Sequence, residues 1–459
     1  MRDNETRSSL WPRVWRWAAG RPAAVRTWLG RIGQFANVAF VLLLGVAVTA
    51  FVTAGLWWGA GGDLAVVPEK TSVLDLLKLG LTVTAGMGGV VALVVAYRKQ
   101  KVHETAETRL DAAAEREDTK LFNERFGAAA EMLSSSEPAR QLAGIYAMAG
   151  LSDDWDAGRQ TCINVLCGFM RLPYTPPGEL SEDASPEEVE RYEQCSAHRQ
   201  VRHALLDVIG DRLRAEPEPG RTWHGHIFDL AGAVIDGGRL NGIRVTDGTR
   251  IDFDRAKFIG GRVSFDRAVF SGGEVVFGGA EFSGGKVSFV GAEFAGGEVD
   301  FDRAEFSGSE VFFIGAEFSG GVVDFGWAGI SGGKVSLGGA GFSGGEVYFD
   351  NAEFSGGVVD FDRAGFFGGV VDFDSAEFSG GEVFFSKARF SGGGLYFIRA
   401  EFSGGRVYFR RARFEGGDVD FSGVTSWTVP PTFDDFPDGR PEGLMFPDPP
   451  PLVTAGSSD

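Results

Sequence analysis

The amino-acid sequence predicts three successive parts: a two-helix transmembrane hairpin, an all-α neck and a parallel β-solenoid. Three observations predict them: two apolar runs near the amino terminus, helical patterning up to residue 221, and a 12-residue repeat in the second half of the chain. The chain has 459 residues, including 68 Gly and 40 Phe, and a formal net charge of −19. This much Phe excludes global disorder, and only three Cys argue against a disulfide framework.

Residues 36–97 are predicted to form a hairpin of two membrane-spanning helices. Residues 36–58 carry no charged side chain, and residues 76–97 carry only Lys78 near their start. Each run is long enough to cross ~30 Å of hydrocarbon as a helix. Small residues recur at a four-residue step between 80 and 88. They favour close packing, either of the two spans against each other or between spans of two copies.

The charge distribution predicts the orientation of this hairpin. Residues 1–101 hold 12 Lys and Arg against 5 Asp and Glu, whereas the rest of the chain holds 32 against 58. Because basic residues flank both apolar runs, the positive-inside rule predicts a multi-pass protein of the cell membrane with both termini in the cytoplasm. In residues 1–35 Trp alternates with Arg. This basic segment is predicted either to lie on the anionic inner leaflet or to be a tail that only sets the topology.

Residues 98–221 are predicted to form a helical neck and a small helical bundle. Mixed charges, frequent Ala and the absence of Pro before Pro138 predict one long helix that continues out of the membrane. Ser185 and Glu188 form a capping-box motif at the start of the last helix. The three Cys lie in this part at a spacing that is poor for zinc, and no His completes a ligand set. We therefore interpret them as core thiols and expect no metal.

From Ile251 the chain repeats every 12 residues, as in RVSFDRAVFSGG, and fourteen units can be aligned. Phe occupies each of the two aromatic positions in thirteen units, with Leu337 as the exception at the first and Ile330 at the second. Ala lies two residues before the second aromatic position throughout, and Gly-Gly follows that position in every unit except one. Alternating V-x-F and A-x-F tripeptides predict short strands whose apolar side chains stack inside a solenoid.

The spacing between inward Phe residues alternates 5, 7, 5, 7, with a small or β-branched residue two positions before each. This pattern resembles the pentapeptide-repeat family, in a variant with F-S-G-G corners. The apolar runs ahead of it resemble a bacterial membrane-anchored subgroup. The resemblance implies a right-handed, four-sided parallel β-helix, which we place at residues 222–424.

The outward residues predict the length of one coil. Four basic residues that follow Gly-Gly all fall in one alternating set of units: Arg262, Lys286, Lys334 and Arg406. This 24-residue period predicts about seven coils of the long repeat and one coil of plain pentapeptides. Residues 425–459 are predicted to cover the last coil with Trp427, Phe433 and Phe436 and then to be disordered.

Two groups of outward residues on the solenoid are candidate contacts for a protein partner. The aromatic group consists of Phe312, Tyr348, Phe384, Tyr396 and Tyr408, and the basic group of Lys387, Arg389, Arg411 and Arg413. In the alternative interpretation, the aromatic side chains only cover the sheet and the basic ones offset neighbouring acidic columns. No nucleophile, base and orienting group can be assembled from motifs, so we predict that the chain is not an enzyme and needs no cofactor.

We therefore expect a membrane-anchored cytoplasmic β-solenoid that acts as a protein-binding or scaffolding surface. Some pentapeptide-repeat proteins resemble duplex DNA in shape and charge and occupy DNA gyrase. That resemblance implies an alternative function, an acidic DNA mimic that inhibits a DNA-binding enzyme such as gyrase. Acidic columns favour this alternative, whereas the expected tethering to the membrane, the basic last coils and the corner insertions weigh against it. Nucleic acid itself is not an expected partner, because the chain is acidic overall.

Overall fold

The computed structural model of the chain describes residues 73–448 except 219 and 438, together with residues 47, 50, 51, 54 and 58. The chain divides into two units, Met1–Arg116 and Glu117–Asp459. The predicted basic segment, 1–35, lies outside the described residues, as does nearly all of the first predicted span.

The second predicted span belongs to helix α1, Val73–Leu133, which has 61 residues. The helix passes Tyr97 without a break and continues through the charged segment that begins at Arg98. Within the described part of the chain, no helix has a stretch that is both long and apolar enough to cross a membrane. This finding overturns the predicted transmembrane hairpin and the multi-pass location in the cell membrane. Helix α1 does run from the second apolar run into the charged segment without a break, as the sequence predicts.

The helices that follow form a small bundle: α2 at Pro138–Asp154, a 3₁₀ turn at Asp156–Gly158, α3 at Arg159–Met170 and α4 at Pro186–Arg214. The capping box at the start of α4 is present. Ser185 Oγ accepts a hydrogen bond from the Glu188 backbone N–H at 3.3 Å, and Glu188 Oε2 accepts one from the Ser185 N–H at 2.8 Å. The two bonds satisfy backbone donors that have no partner within the helix. Fully buried apolar residues on the three helices include Ile145, Met148, Leu166, Leu205 and Ile209.

The thiols of this bundle are unpaired. Cys162 and Cys167 are completely buried and Cys195 is half-buried. Burial raises the pKa of the Cys162 thiol to about 11 and that of Cys167 to about 12. Cys162 and Cys167 are therefore protonated core residues at neutral pH.

The β-solenoid follows, as short strands in chain order: β1 Ile227–Asp229, β2 Val234–Ile235, β3 Gly238–Arg239, β4 Arg244–Val245, β5 Arg250–Asp252, β6 Lys257–Ser264, β7 Val269–Val276, β8 Glu281–Ser288, β9 Glu293–Asp300, β10 Glu305–Phe306, β11 Glu310–Phe312, β12 Glu317–Asp324, β13 Gly329–Ile330, β14 Lys334–Ser336, β15 Gly341–Phe342, β16 Glu346–Tyr348, β17 Glu353–Phe354, β18 Val358–Asp360, β19 Gly365–Asp372, β20 Glu377–Phe378, β21 Glu382–Phe384, β22 Arg389–Tyr396, β23 Glu401–Phe402, β24 Arg406–Tyr408, β25 Arg413–Phe414, β26 Asp418–Asp420, β27 Ser426–Trp427 and β28 Leu444–Met445. In the described residues these strands form two parallel sheets, of 13 and 15 strands. Each coil contributes four strand segments, two to each sheet, and two turns join the sheets.

The strand pairing confirms the length of the coil. Val311 pairs with Val335, and Phe318 pairs with Phe342, so paired positions are 24 residues apart. The solenoid has about nine turns of this length. The sequence predicts about eight coils, and the tail adds one more, because Trp427 pairs with Phe402 in the coil below.

Phe side chains fill the interior in continuous stacks. Rings one coil apart lie nearly parallel, as in Phe301 and Phe325, whose centroids are 4.7 Å apart with an interplanar angle of 2°. Neighbouring stacks meet edge to face, as in Phe301 and Phe313, at 6.1 Å and 82°. Both arrangements are favourable for aromatic rings, and the buried area stabilises every coil against the next.

The Gly-Gly corners are required by the backbone. Gly261 has φ of +62°, and a Cβ added there would lie 2.0 Å from the carbonyl oxygen of Asp236 in the coil below. A Cβ added at the neighbouring Gly260 would meet no atom within 4 Å. At this corner the second glycine therefore provides both the left-handed conformation and the close approach of successive coils. At later corners the first glycine is close as well: a Cβ added at Gly284 would lie 2.5 Å from the carbonyl oxygen of Ile259.

Both ends of the solenoid are covered. At the carboxyl end the Phe433 ring stacks on Phe409 at 4.8 Å, and the Trp427 ring meets Phe402 at 5.5 Å. At the other end Arg202 of α4 donates a hydrogen bond to the Val234 carbonyl oxygen of β2 at 2.9 Å. These contacts cover strand edges that would otherwise be open to pairing with other chains.

Candidate binding groove

A groove of about 580 Å³ lies on the solenoid where the later coils carry basic side chains. We call it the basic groove. It is lined by Glu317, Gly339, Ala340, Gly341, Arg363, Gly365, Phe367, Lys387, Arg389, Arg411 and Arg413. The four basic residues predicted as partner contacts all line it. Arg363 and Phe367, which sequence reasoning missed, line it as well.

Two columns of the repeat supply the cations. One column is the turn position that holds Gly339 and then Arg363, Lys387 and Arg411, each 24 residues after the last. The other is the strand position after Ala, where Gly365 pairs with Arg389 and Arg389 pairs with Arg413. Because successive coils lie ~4.8 Å apart, side chains in a column are immediate neighbours.

The backbone holds the turn residues firmly. Arg363, Lys387 and Arg411 have φ of 61°, 59° and 57°, the left-handed conformation. The Arg363 N–H donates to the Ser386 carbonyl oxygen at 3.0 Å, and the Lys387 N–H donates to that of Arg410 at 2.8 Å. Hydrogen bonds between coils therefore fix each turn, while the exposed side chains extend outwards from it.

The depth of the groove comes from missing side chains. Gly341 and Gly365 occupy positions at which other coils carry a charged residue, such as Glu317 and Arg389. The Phe367 ring lies over Gly365, because a Cβ added at Gly365 would be 2.3 Å from it. Phe367 is still 52 % exposed. The groove thus has an apolar end at Phe367 and a cationic end at the later coils.

Within the part of the chain that the structure describes, most of these cations have no ionic partner. Arg389 forms an ion pair with Glu415 at 2.7 Å. Among the described residues, the side chains of Arg363, Lys387, Arg411 and Arg413 form no ion pair, and all four are exposed. Most cations in earlier coils are paired, for example the lysines with glutamates one coil away: Lys257 with Glu281 and Lys286 with Glu310, each at 2.7 Å. Arg267, four coils before Arg363 in the same turn column, is an exception among the described residues.

The predicted aromatic contacts are not gathered at one place. Phe384 and Tyr408 stack at 5.1 Å with an interplanar angle of 13°, on the strand that leads into the turn of the basic groove. Phe312 lies in the same column but is separated from them by Ser336 and Asp360. Its ring is instead covered by Lys286, whose Nζ lies 5.8 Å from the ring centroid.

Tyr348 and Tyr396 lie on the other sheet, in a column that also holds Asp372. Tyr348 donates a hydrogen bond from Oη to Glu346 Oε2 at 2.6 Å. That bond, with burial and the negative charge nearby, raises the pKa of Tyr348 to about 12. These two residues are separate from the basic groove.

Carboxylates lie in the same strand column as these tyrosines and in the turn that follows it, which is not the turn of the basic groove. We call this set the acidic ladder; it comprises Asp300, Asp302, Asp324, Asp350, Asp372 and Asp374. Burial raises the pKa of Asp302, Asp324 and Asp372, and the neighbouring carboxylates raise it further. The solenoid therefore carries a basic groove at one turn and a dense acidic surface at the other.

Comparison with known proteins agrees with this architecture. A family model described as "Pentapeptide repeats (9 copies)" matches residues 373–425, a segment that includes Lys387, Arg389, Arg411 and Arg413. No curated protein and no solved structure matches the chain. The match shows pentapeptide repeats in residues 373–425, and the coils of about 24 residues with inward Phe stacks extend the same architecture through the rest of the solenoid.

Proposed function

We propose that the β-solenoid is a protein-binding surface and that the basic groove is its contact site. One observation carries the proposal: five cations and an exposed phenyl ring converge on one groove, and four of the cations have no ionic partner within the described chain. Exposed aromatic and arginine side chains on a rigid surface are the residue types that dominate binding energy at protein interfaces.

The chemistry of the lining favours binding. Its side chains are guanidinium and ammonium groups, one carboxylate, one phenyl ring and one methyl group, with no hydroxyl, thiol or imidazole among them. The fixed turns of the solenoid keep the backbone of the cationic residues in place before a partner arrives, so that only their side chains have to be ordered on association.

Site-specific photo-crosslinking tests the proposal. A photoreactive phenylalanine analogue replaces Phe367 in the full chain, in the host that naturally makes it, and crosslinked species are identified by mass spectrometry. The matched control replaces Trp327, another exposed aromatic residue, which lies at the other turn of the coil and is 59 % exposed. A partner protein crosslinked from position 367 and not from position 327 is the expected result. Equal crosslinking from both positions, or none from position 367, contradicts the proposal.

The acidic ladder supports a second candidate function, mimicry of duplex DNA. Asp300 and Asp324 lie one coil apart, and Asp372 lies two coils beyond Asp324 in the same column. Burial raises the pKa of Asp324 and Asp372, and neighbouring carboxylates raise it further. A gyrase supercoiling assay with the full chain tests it. Inhibition by micromolar protein that is lost with Asp324→Asn and Asp372→Asn, and retained with Glu401→Gln on the other sheet, supports mimicry. Supercoiling unaffected by the protein dismisses it.

A further inference from the structure

We propose that the basic groove binds an extended acidic segment of a protein, with an apolar side chain against Phe367 and two or more carboxylates beyond it. This inference rests on the proposed protein-binding function and specifies the chemistry of the partner.

The charges of the groove select the partner. Arg363, Lys387, Arg411 and Arg413 have no ionic partner in the described chain, although the chain as a whole carries a net charge of −19. Guanidinium groups pair with carboxylates through two parallel hydrogen bonds, which makes such pairs stronger and more directional than ordinary ones. Four unpaired cations side by side therefore fit a ligand with several carboxylates.

A carboxylate of the chain itself already lies at this end of the groove. Asp434 Oδ2 accepts a hydrogen bond at 2.5 Å from the backbone N–H of Arg411. The turn column thus accommodates a carboxylate with its backbone, while the Arg411 side chain stays exposed and available to a second one.

The dimensions fit an extended peptide. The turn column from Arg363 through Lys387 to Arg411 covers two coil steps, ~10 Å at the usual strand spacing. In an extended peptide, side chains on one face recur every two residues, ~7 Å apart. Two acidic side chains at positions i and i+2 therefore both lie within reach of this column, since Arg and Lys side chains are long and adjustable.

The glycine positions set the orientation of the segment. Gly341 and Gly365 leave the surface low next to Phe367, whereas the cations stand at the later coils. An apolar side chain gains most at the Phe367 end, where a partly exposed ring is covered, and the carboxylates gain most at the Arg411 end. The bound segment is therefore expected to place its apolar residue at the Phe367 end of the groove and its acidic residues at the Arg411 end.

Nucleic acid fits less well than an acidic peptide. A long polyanion would leave the groove and meet acidic columns, such as exposed Glu377 and Glu401 on the neighbouring strands of the other sheet. Affinity for nucleic acid grows with the number of phosphates that are neutralised along the strand. The groove offers few positions before repulsion begins, so a short acidic segment is favoured.

A binding assay with defined peptides tests this inference. The probe is a fluorescein-labelled peptide of sequence Gly-Leu-Asp-Glu-Asp-Gly, titrated with the full chain and followed by fluorescence anisotropy. The control peptide carries Asn and Gln in place of Asp and Glu. The acidic peptide is expected to bind at least tenfold more tightly than the amide control, and the difference is expected to shrink as salt is raised.

Protein variants locate the site. Lys387→Ala and Arg363→Ala are each expected to weaken the acidic peptide about five- to tenfold. Arg303→Ala is the matched control, because Arg303 is an exposed turn residue with φ of 54° in the other column and pairs with Asp302. Phe367→Ala is expected to weaken the leucine-containing peptide and to leave a glycine-substituted peptide unchanged. Far-UV circular dichroism and melting curves of all variants establish that each is folded.

Three outcomes overturn the inference: equal affinity for the amide control peptide, equal weakening by Arg303→Ala, or tighter binding of a single-stranded oligonucleotide of equal charge. If any one of these outcomes occurs while position 367 still crosslinks to a protein, the protein-binding function stands and the proposed acidic partner is wrong. If position 367 does not crosslink either, the proposed function fails with it.

Discussion

Adjacent residues Phe312 and Phe313 offer a direct test of the Phe interior. Phe313 is completely buried, whereas Phe312, the last residue of β11, faces outwards and is only partly buried. Replacing either residue by Ala removes the same atoms. At position 313 the change leaves a cavity among five neighbouring rings, and we expect a loss of about 3–5 kcal/mol in the free energy of unfolding. At position 312 we expect less than ~1 kcal/mol.

The stacks also predict the cost of a milder change. Phe313 stacks on Phe289 at 4.7 Å on one side, but on the other side its column holds Leu337. Phe301 stacks at 4.7 Å on both sides. Leu at position 313 extends an interruption that already exists, whereas Leu at position 301 breaks two ring pairs. We therefore expect Phe301→Leu to cost about 1 kcal/mol more than Phe313→Leu.

Urea denaturation of the full chain, followed by the β signal in far-UV circular dichroism, measures these differences. Since a solenoid is stabilised by nearest-neighbour contacts, amide hydrogen exchange in β11 and β14 gives the local loss independently of the rest of the chain. The order of stability expected is wild type, Phe312→Ala, Phe313→Leu and then Phe313→Ala. If Phe312→Ala destabilises the protein as much as Phe313→Ala, the stacked-ring interior is refuted.

Three further predictions concern the corner, a buried carboxylate and the thiols. Gly261→Ala is expected to lower the melting temperature, because a Cβ clashes with the Asp236 carbonyl, whereas Gly260→Ala leaves it nearly unchanged; equal shifts would contradict the corner geometry. Burial alone would raise the pKa of Asp236, but hydrogen bonds from a histidine, a tyrosine and an arginine lower it to about 2. Since the folded pKa lies below the usual 3.8, this carboxylate contributes about 2 kcal/mol above pH 4, and the contribution is lost as the pH falls towards 2. Urea midpoints at pH 2.5 and 5 measure it, and Asp236→Asn should remove that part of the pH dependence. Cys195 is expected to react with Ellman's reagent in the native protein before Cys162 does; simultaneous reaction would show that the bundle core is open.

Much of the solenoid follows from the sequence because its determinants are local and repeated. Each unit places Phe, Ala and Gly-Gly at fixed positions, so the alternation of inward and outward side chains holds in every coil. The 24-residue coil is visible in the outward charges, since Lys286 and Glu310 one coil apart form an ion pair. Like residues in successive coils share one environment, and a single correct assignment therefore extends to the whole repeat.

The transmembrane hairpin is the part of the prediction that is wrong. The prediction rested on the length and hydropathy of two apolar runs. The second run belongs to α1, Val73–Leu133, and no helix in the described residues is both long and apolar enough to cross a membrane. The continuation of α1 past Tyr97 agrees with the predicted helix, so the error concerns the membrane span and not the helix. The positive-inside argument for the orientation depends on that span and loses its basis with it.

The sequence singles out four cations of the basic groove but does not predict the groove itself, because a groove depends on absent side chains as much as on present ones. Lys387, Arg389, Arg411 and Arg413 stand out in the sequence as cations in an acidic domain. Arg363 does not, since several other units carry Arg at the same turn position, and only the 24-residue register places it beside Lys387. Once the units are arranged two to a coil, one strand column changes from Glu317 through two glycines to Arg389 and Arg413. The same coils replace the corner Ser by Phe367. The sequence thus departs from the repeat consensus in three adjacent columns: the turn, the strand position after Ala and the corner. All three face outwards, so the departure removes few packing contacts from the interior. These positions are therefore free to determine what the surface binds.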